Sequence, residues 1–246
     1  MRPTAKILFT AILAAWLFPM TIANQALAQA RGVIELFTSQ GCSSCPPADR
    51  LLVKLANDPS LIALSWHVDY WDYLGWKDTF SNPAFTSRQK AYSGARGDGE
   101  VYTPQVVVNG VRQMVGSSRS AIDAAISDKQ GNELTVPITF DSTGSSVRVL
   151  IGAAAAGVPR TGTIYLLPVL GSREVTIRRG ENASHAVTYT NVVRSINPLA
   201  TWAGNAKSID ISLDKLGGPD RYFVLLQTGS LASPGVILGA AKGPTK

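Results

Sequence analysis

From Val33 to about Lys129 the chain alternates between two periodicities. Val33-Ile34-Glu35-Leu36-Phe37 is a β-prone run. Ala48, Leu51, Leu52, Leu55 and Ala56 then recur at helical spacing, and Pro46-Pro47 suits the first turn of a helix, where missing N–H groups cost least. Asp58-Pro59 ends that helix. Leu61–Val68 is a second strand-like run, in which Ala63, Ser65 and His67 alternate with larger apolar residues. Residues 69–99 are aromatic and polar, with one helix predicted over Pro83–Ser93. Gln105–Asn109 and Val111–Val115 flank Asn109-Gly110, a strong two-residue hairpin signal. Ser117 or Ser118 caps a last helix with Ile122, Ala125 and Ile126 on one face. The predicted order is β, α, β, α, β, β, α.

After Gly131 the helical period disappears. Val136–Phe140, Ser146–Gly152, Thr163–Val169, Val187–Val193, Ile209–Leu213 and Tyr222–Gln227 are short β-prone segments separated by Gly, Pro, Asn and Asp. They predict an antiparallel all-β, sandwich-like module over residues 131–246. Gly131-Asn132-Glu133 is too short a junction for a flexible tether, so the two modules are expected to pack together.

The first 28 residues stand outside this pattern. Arg2 and Lys6 precede an apolar stretch from Ile7 to Ala23, and Ala26-Leu27-Ala28 supplies small residues for a signal peptidase. Cleavage is expected after Ala28, with Ala30 as the alternative site. An uncleaved anchor is the competing reading, but the stretch is short for a membrane span. The expected location is the periplasm or the exterior of a bacterium, with no stable membrane insertion after cleavage. The chain carries 23 Lys+Arg against 17 Asp+Glu; without Arg2 and Lys6 the balance is 21 to 17, or +4. These charges are scattered, whereas a nucleic-acid binder concentrates them in a stripe, so nucleic acid is not an expected partner.

Two cysteines, Cys42 and Cys45, form a single C-x-x-C. A disulfide across so short a loop is worth only ~2 kcal/mol in the chain-entropy model, too little to explain it as a staple. A redox or metal pair explains it better. The pair lies where a strand turns into a helix, whose N-terminal N–H groups and dipole stabilise a thiolate. No Asp, Glu or Arg occurs between Ser39 and Pro47 to compete with that field. Cys42, further out on the turn, is the expected attacking thiol and Cys45 the resolving one.

Phe37–Cys45, F-T-S-Q-G-C-S-S-C, resembles the strand-turn-cysteine segment of glutaredoxins and thioredoxins. Thr103-Pro104 before the third strand and its hairpin resembles their cis-proline element. The wider run is E-L-F-T-S-Q-G-C-S-S-C-P-P-A-D from Glu35, H-V-D-Y-W-D from His67, L-G-W from Leu74 and Y-T-P-Q-V-V-V-N-G from Tyr102. It is similar to the uncharacterised bacterial domain-of-unknown-function 1223 family, within the thioredoxin-like superfamily. The resemblance implies an α/β thioredoxin-like domain (βαβαββα) over residues 31–130 and a cis Thr103–Pro104 bond facing the cysteines. It also implies that Thr103 and Pro104 present backbone and surface to substrate. The family has no settled substrate. Gly41 stands where thioredoxins carry tryptophan, and Ser43-Ser44 replaces their usual inter-cysteine pairs, which leaves the reduction potential open.

Glu35, in a strand expected to be central and buried, is a candidate proton acceptor beneath the cysteines. The alternative is a Glu facing the second module or a basic partner such as Arg112. It is one residue out of step with the usual buried thioredoxin acid, which aligns with Leu36. His67 could complete a copper or zinc site with Cys42 and Cys45, or be hydrogen-bonded in the core. Trp66, Tyr70, Trp71, Tyr73 and Trp76 could line a peptide groove or pack the 69–99 excursion. Asp69, Asp72 and Asp78 could suggest a cation site, but spacing of this kind is common on solvated loops. Asn182-Ala183-Ser184 is a sequon without a role in a bacterial protein, and His185 reads as surface.

Taken together, the expected function is an exported thiol–disulfide oxidoreductase acting on protein, peptide or small-molecule thiols and disulfides, with no cofactor. The alternatives are a metallochaperone-like protein using Cys42, Cys45 and His67, and a non-catalytic binding module that uses the cysteines only as a disulfide.

Overall fold

The computed structural model describes residues 29–128, 133–143, 146–212, 218 and 220–243. The expected signal segment, residues 1–28, lies outside them, as does the Gly131-Asn132 part of the junction. Among the described residues the chain forms three helices and twelve strands in a sheet-dominated α/β arrangement.

The first half runs β1 (Gly32–Thr38), α1 (Pro46–Ala56), β2 (Leu61–His67), α2 (Pro83–Arg96), β3 (Gln105–Val108), β4 (Arg112–Val115) and α3 (Arg119–Ser127). β1 and β2 are parallel, and β1 pairs antiparallel with β3. β1 and β2 are buried along their whole length, as central strands flanked on both faces must be. The strand period of two splits their side chains between two cores. Ile34, Leu36, Leu61 and Ala63 meet Leu52 and Leu55 of α1 and Ile122 of α3. Phe37, Ile62, Leu64 and Trp66 face the other way, onto Phe85 and Tyr92 of α2. The β3–β4 hairpin turns on Asn109 (φ 50°) and Gly110 (φ 77°), the doubly positive pair that the Asn-Gly signal requires. α2 is capped by Asn82, whose side chain accepts the Ala84 amide, and by Gly97 (φ 73°), and its last residue, Arg96, is three beyond the predicted end.

The second half comprises β5 (Ile138–Thr143), β6 (Ser146–Ile151), β7 (Gly162–Thr176), β8 (Ala186–Val193), β9 (Asn197–Trp202), β10 (Lys207–Ser212), β11 (Arg221–Gly229) and β12 (Pro234–Lys242). These strands pair antiparallel with one another, and most of them join the first half in a common sheet. One nine-stranded sheet runs β12-β11-β7-β8-β2-β1-β3-β4, with β9 alongside β7. The seam is β8 against β2, parallel at Ser65 and Val192, where Asn191 Nδ2 also donates to the Ala63 carbonyl. Leu167, Val193, Phe223, Leu225 and Ile237 therefore sit in the same core as Phe37 and Trp66. A three-stranded sheet, β10-β6-β5, covers a second core against β11 and β12. No helix among the described residues is long and apolar enough to cross a membrane.

Candidate functional site

Cys42 and Cys45 are joined by a disulfide at the mouth of α1. Cys45 is the residue that opens the helix, already with helical angles (φ −78°, ψ −35°), and its carbonyl accepts the amides of Ala48 and Asp49. The prolines at the first turn and the tight Ser39–Cys42 and Cys42–Cys45 turns place the disulfide there. Both cysteines are covered, Cys42 at 1% and Cys45 at 0% exposure, while Ser43 and Ser44 between them face solvent.

The Thr103–Pro104 bond is cis and lies across from the disulfide. Ser44 connects the two. Its Oγ is 3.5 Å from Cys42 Sγ and 3.4 Å from the Thr103 carbonyl, to which it donates. The hairpin can close onto α1 because residue 116 is glycine: a Cβ there would come within 3.2 Å of both Ala48 and Pro104 and 2.7 Å of Leu36. Trp71 arrives from the excursion after β2. It lies against Gly41, and its Nε1 donates to Thr103 Oγ1 at 2.8 Å. Of the other aromatics, Trp66 is core, Tyr70 and Trp76 are half-buried, and Tyr73 is 80% exposed.

Beneath the turn lies a buried polar cluster that includes three residues not predicted to join the site. Asp49, one turn into α1, accepts a hydrogen bond from Thr38 Oγ1 at 2.8 Å, and its Oδ2 has no partner. Burial pushes its pKa up to about 7, with the facing His67 opposing that rise. His67 Nδ1 is 2.7 Å from Asp78 Oδ2, and His67 Nε2 has no partner. Asp78 also accepts the amides of Gln40 and Phe80. Burial works to raise the Asp78 pKa, but His67 and those amides outweigh it and hold the carboxyl below its ordinary range. The third residue is Asn182. Its loop joins β7 to β8, and its Nδ2 donates to the carbonyls of Gln40 (2.9 Å) and Cys42 (2.8 Å). The sequon reading concealed this role, and the aspartate pattern read as a solvated loop concealed that of Asp78. A polar residue at i+4 from Cys45 was the available signal for Asp49.

Glu35 is not brought to the cysteines. The strand period turns it to the α2 face, whereas the disulfide belongs to the α1 face. There it pairs with Arg88 (Nε to Oε1, 2.8 Å) and accepts from Tyr92, and Arg88 and Tyr92 both bond Gln227 of β11. It thus has the basic partner and second-half contact foreseen as the alternative, with Arg88 in place of Arg112, which pairs with Asp128 at the surface. His67 is likewise committed to Asp78, and among the described residues no group of three or more His, Cys, Asp or Glu is arranged to hold a metal ion. This arrangement does not supply the Cys42–Cys45–His67 metal set. His185 is exposed, as expected.

The site is thus a helix-mouth disulfide opposite a cis-proline hairpin, within a mixed α/β sheet. The chain is a member of the family described as protein of unknown function (DUF1223), which it matches over residues 33–227. No curated protein matches it. It is similar to the crystal structure of protein AGR_C_4864 from Agrobacterium tumefaciens, at 31% identity and a TM-score of 0.78, covering 87% of this chain and 94% of that one. It also shares a fold with HBP35 of Porphyromonas gingivalis, at 12% identity and a TM-score of 0.61, covering 87% and 74% respectively.

Proposed function

We propose that this chain is an exported thiol–disulfide oxidoreductase of thioredoxin-like architecture, acting through Cys42 and Cys45 on thiols and disulfides of proteins, peptides or small molecules. The observation that carries the reading is the pairing of a C-x-x-C disulfide at a helix N-terminus with the cis Thr103–Pro104 bond opposite, linked through Ser44. The helix mouth favours a thiolate, so the pair can release and take up electrons as dithiol and disulfide. Cys42 receives the attack, Cys45 resolves the mixed disulfide, and Thr103 and Pro104 face the substrate. Residues 29–246 would act in the periplasm or outside the cell.

The near-complete burial of Cys42 favours a second reading, a binding protein with an inert disulfide. Two measurements separate them. An oxidoreductase reduces insulin or refolds scrambled ribonuclease, loses that activity in Cys42→Ser, and has a reduction potential above about −300 mV. A potential below that value with no turnover would establish the inert disulfide.

A further inference from the structure

Asp49 Oδ2 and His67 Nε2 are buried polar atoms with no partner. Buried orphans of this kind are rare and call for an explanation. Thr38 and His67 are register partners on parallel strands, so their side chains leave the same face of the sheet, toward α1. Thr38 Oγ1 holds Asp49 Oδ1. The carboxyl is thereby fixed between the C-terminal ends of β1 and β2 and the first turn of α1. Asp49 is four residues after Cys45, and Cys45 already has helical angles. Residues at this spacing share a helix face, with Cβ atoms about 5–6 Å apart. Glu35, the strand carboxylate, faces the opposite core and is consumed by Arg88 and Tyr92.

From this arrangement we propose that Asp49 is the proton acceptor and donor for Cys45, with the His67–Asp78 pair as its electrostatic counterpart; the proposal rests on the oxidoreductase reading. In the reducing direction, Cys42 thiolate attacks a substrate disulfide. A mixed disulfide forms, and the first substrate sulfur leaves with the electron pair and takes a proton from water. Cys45 then gives its thiol proton to the Asp49 carboxylate and attacks Cys42 Sγ. The bond from Cys42 to the substrate breaks, and the second substrate sulfur leaves as a thiolate that is protonated in turn. The substrate disulfide gains two electrons from the cysteine pair and two protons from water, while the one thiol proton of the pair passes from Cys45 to Asp49. In the oxidising direction the Asp49 carboxyl protonates Cys45 as it departs.

The groups facing Asp49 are Thr38 from β1, His67 from β2, Asp78 from the excursion, Tyr189 from β8 and Arg50 on its own helix. Its burial sets the carboxyl near neutrality, where a single group can both take and return a proton.

Asp49→Asn keeps the shape and the Thr38 hydrogen bond. The test follows mixed-disulfide resolution against pH in the full chain, using a small aromatic disulfide as substrate. In the wild type the resolution rate should rise toward neutrality and level off. In Asp49→Asn it should fall about 100-fold at pH 7, and its rise should move toward the free-thiol region near ~8.5. A wild-type rate and profile in Asp49→Asn, with the parent still exchanging, overturns this role alone. Absence of exchange in the parent removes the oxidoreductase reading and this role with it. In the wild type, the Asp49 carboxyl carbon should titrate by NMR with a midpoint that differs between dithiol and disulfide forms. An identical midpoint in both forms also overturns the proposal, whether or not the variant folds.

Discussion

At the scale of single residues, Asp49 links the site to stability. Its pKa is raised from the ordinary 3.8 to about 7, so the folded state holds a proton that the unfolded state has released. Its contribution is fully present below pH 3.8 and is lost as pH rises toward 7. The expected loss is at most about 4 kcal/mol by pH 8. Urea unfolding of the oxidised protein from pH 4 to 8 should show this decline, and Asp49→Asn should flatten it. Asp78 has the opposite sign, because its pKa lies below the ordinary 3.8. Its stabilisation is present above that value and lost as pH falls below it, so the two effects occupy separate windows. Glu35 makes a second residue-scale case. Arg88, Tyr92 and Gln227 all bond within its buried cluster. Glu35→Gln leaves the Arg88 charge buried without its counter-charge, which should cost about 3–5 kcal/mol in urea unfolding. Glu35→Gln combined with Arg88→Met should recover a large part of that loss. Full additivity of the two changes would contradict a coupled pair.

At the scale of elements, the loop of residues 177–185 is what ties the second half to the disulfide turn. It is closed by Ser184 N–H donating to the Ile177 carbonyl and Ile177 N–H to the His185 carbonyl, and it extends Asn182 onto the turn that carries Cys42. Asn182→Ala leaves the buried Gln40 and Cys42 carbonyls without these donors, at an expected cost of about 1–3 kcal/mol. The freed turn should also let a water-soluble phosphine reduce the disulfide several-fold faster. Stability lowered with an unchanged reduction rate would show that Asn182 does not guard Cys42. Local chemistry explains which elements were legible from the sequence. Pro46-Pro47, Asn109-Gly110 and the uninterrupted runs of β1 and β2 specify their geometry within a few residues. β9 contains Pro198 in an exposed edge strand, and in β12 the short Val236-Ile237-Leu238 run is hemmed in by Pro, Gly and Ala, so both give only a weak β-propensity signal. They form through pairing with β7 and β11. The site divides the same way. Cys42, Cys45, Thr103 and Pro104 are a motif and its opposing loop, whereas Asn182 reaches the turn across 140 residues of sequence. The sequence suggested a buried acid, but the strand period assigns Glu35 to the other core, and only the fold brings Asp49, Thr38 and His67 together.

At the scale of the whole molecule, the shared sheet decides whether residues 31–130 can stand alone. β2 would become an edge without β8, with a row of unpaired backbone groups open to association. The core beneath α2 would lose more. Phe37, Ile62, Leu64, Trp66, Phe85 and Tyr92 pack in one cluster with Leu167, Val193, Phe223, Leu225 and Ile237. Burying one such side chain is worth about 1.5–3 kcal/mol, so exposing part of six is comparable to the ~5–15 kcal/mol by which a domain is stable. Arg88 would also lose Gln227, leaving the buried ion pair facing water on one side. A fragment of residues 29–130 should therefore lack the near-ultraviolet circular dichroism of the full chain and associate through β2, whereas the full chain should unfold in one cooperative transition. Dispersed amide resonances from a monomeric fragment would show instead that the first half is self-sufficient. In that case the strands after residue 133 would be an addition to a finished domain, and Asn182 could be removed with its whole loop without loss of the fold around the disulfide.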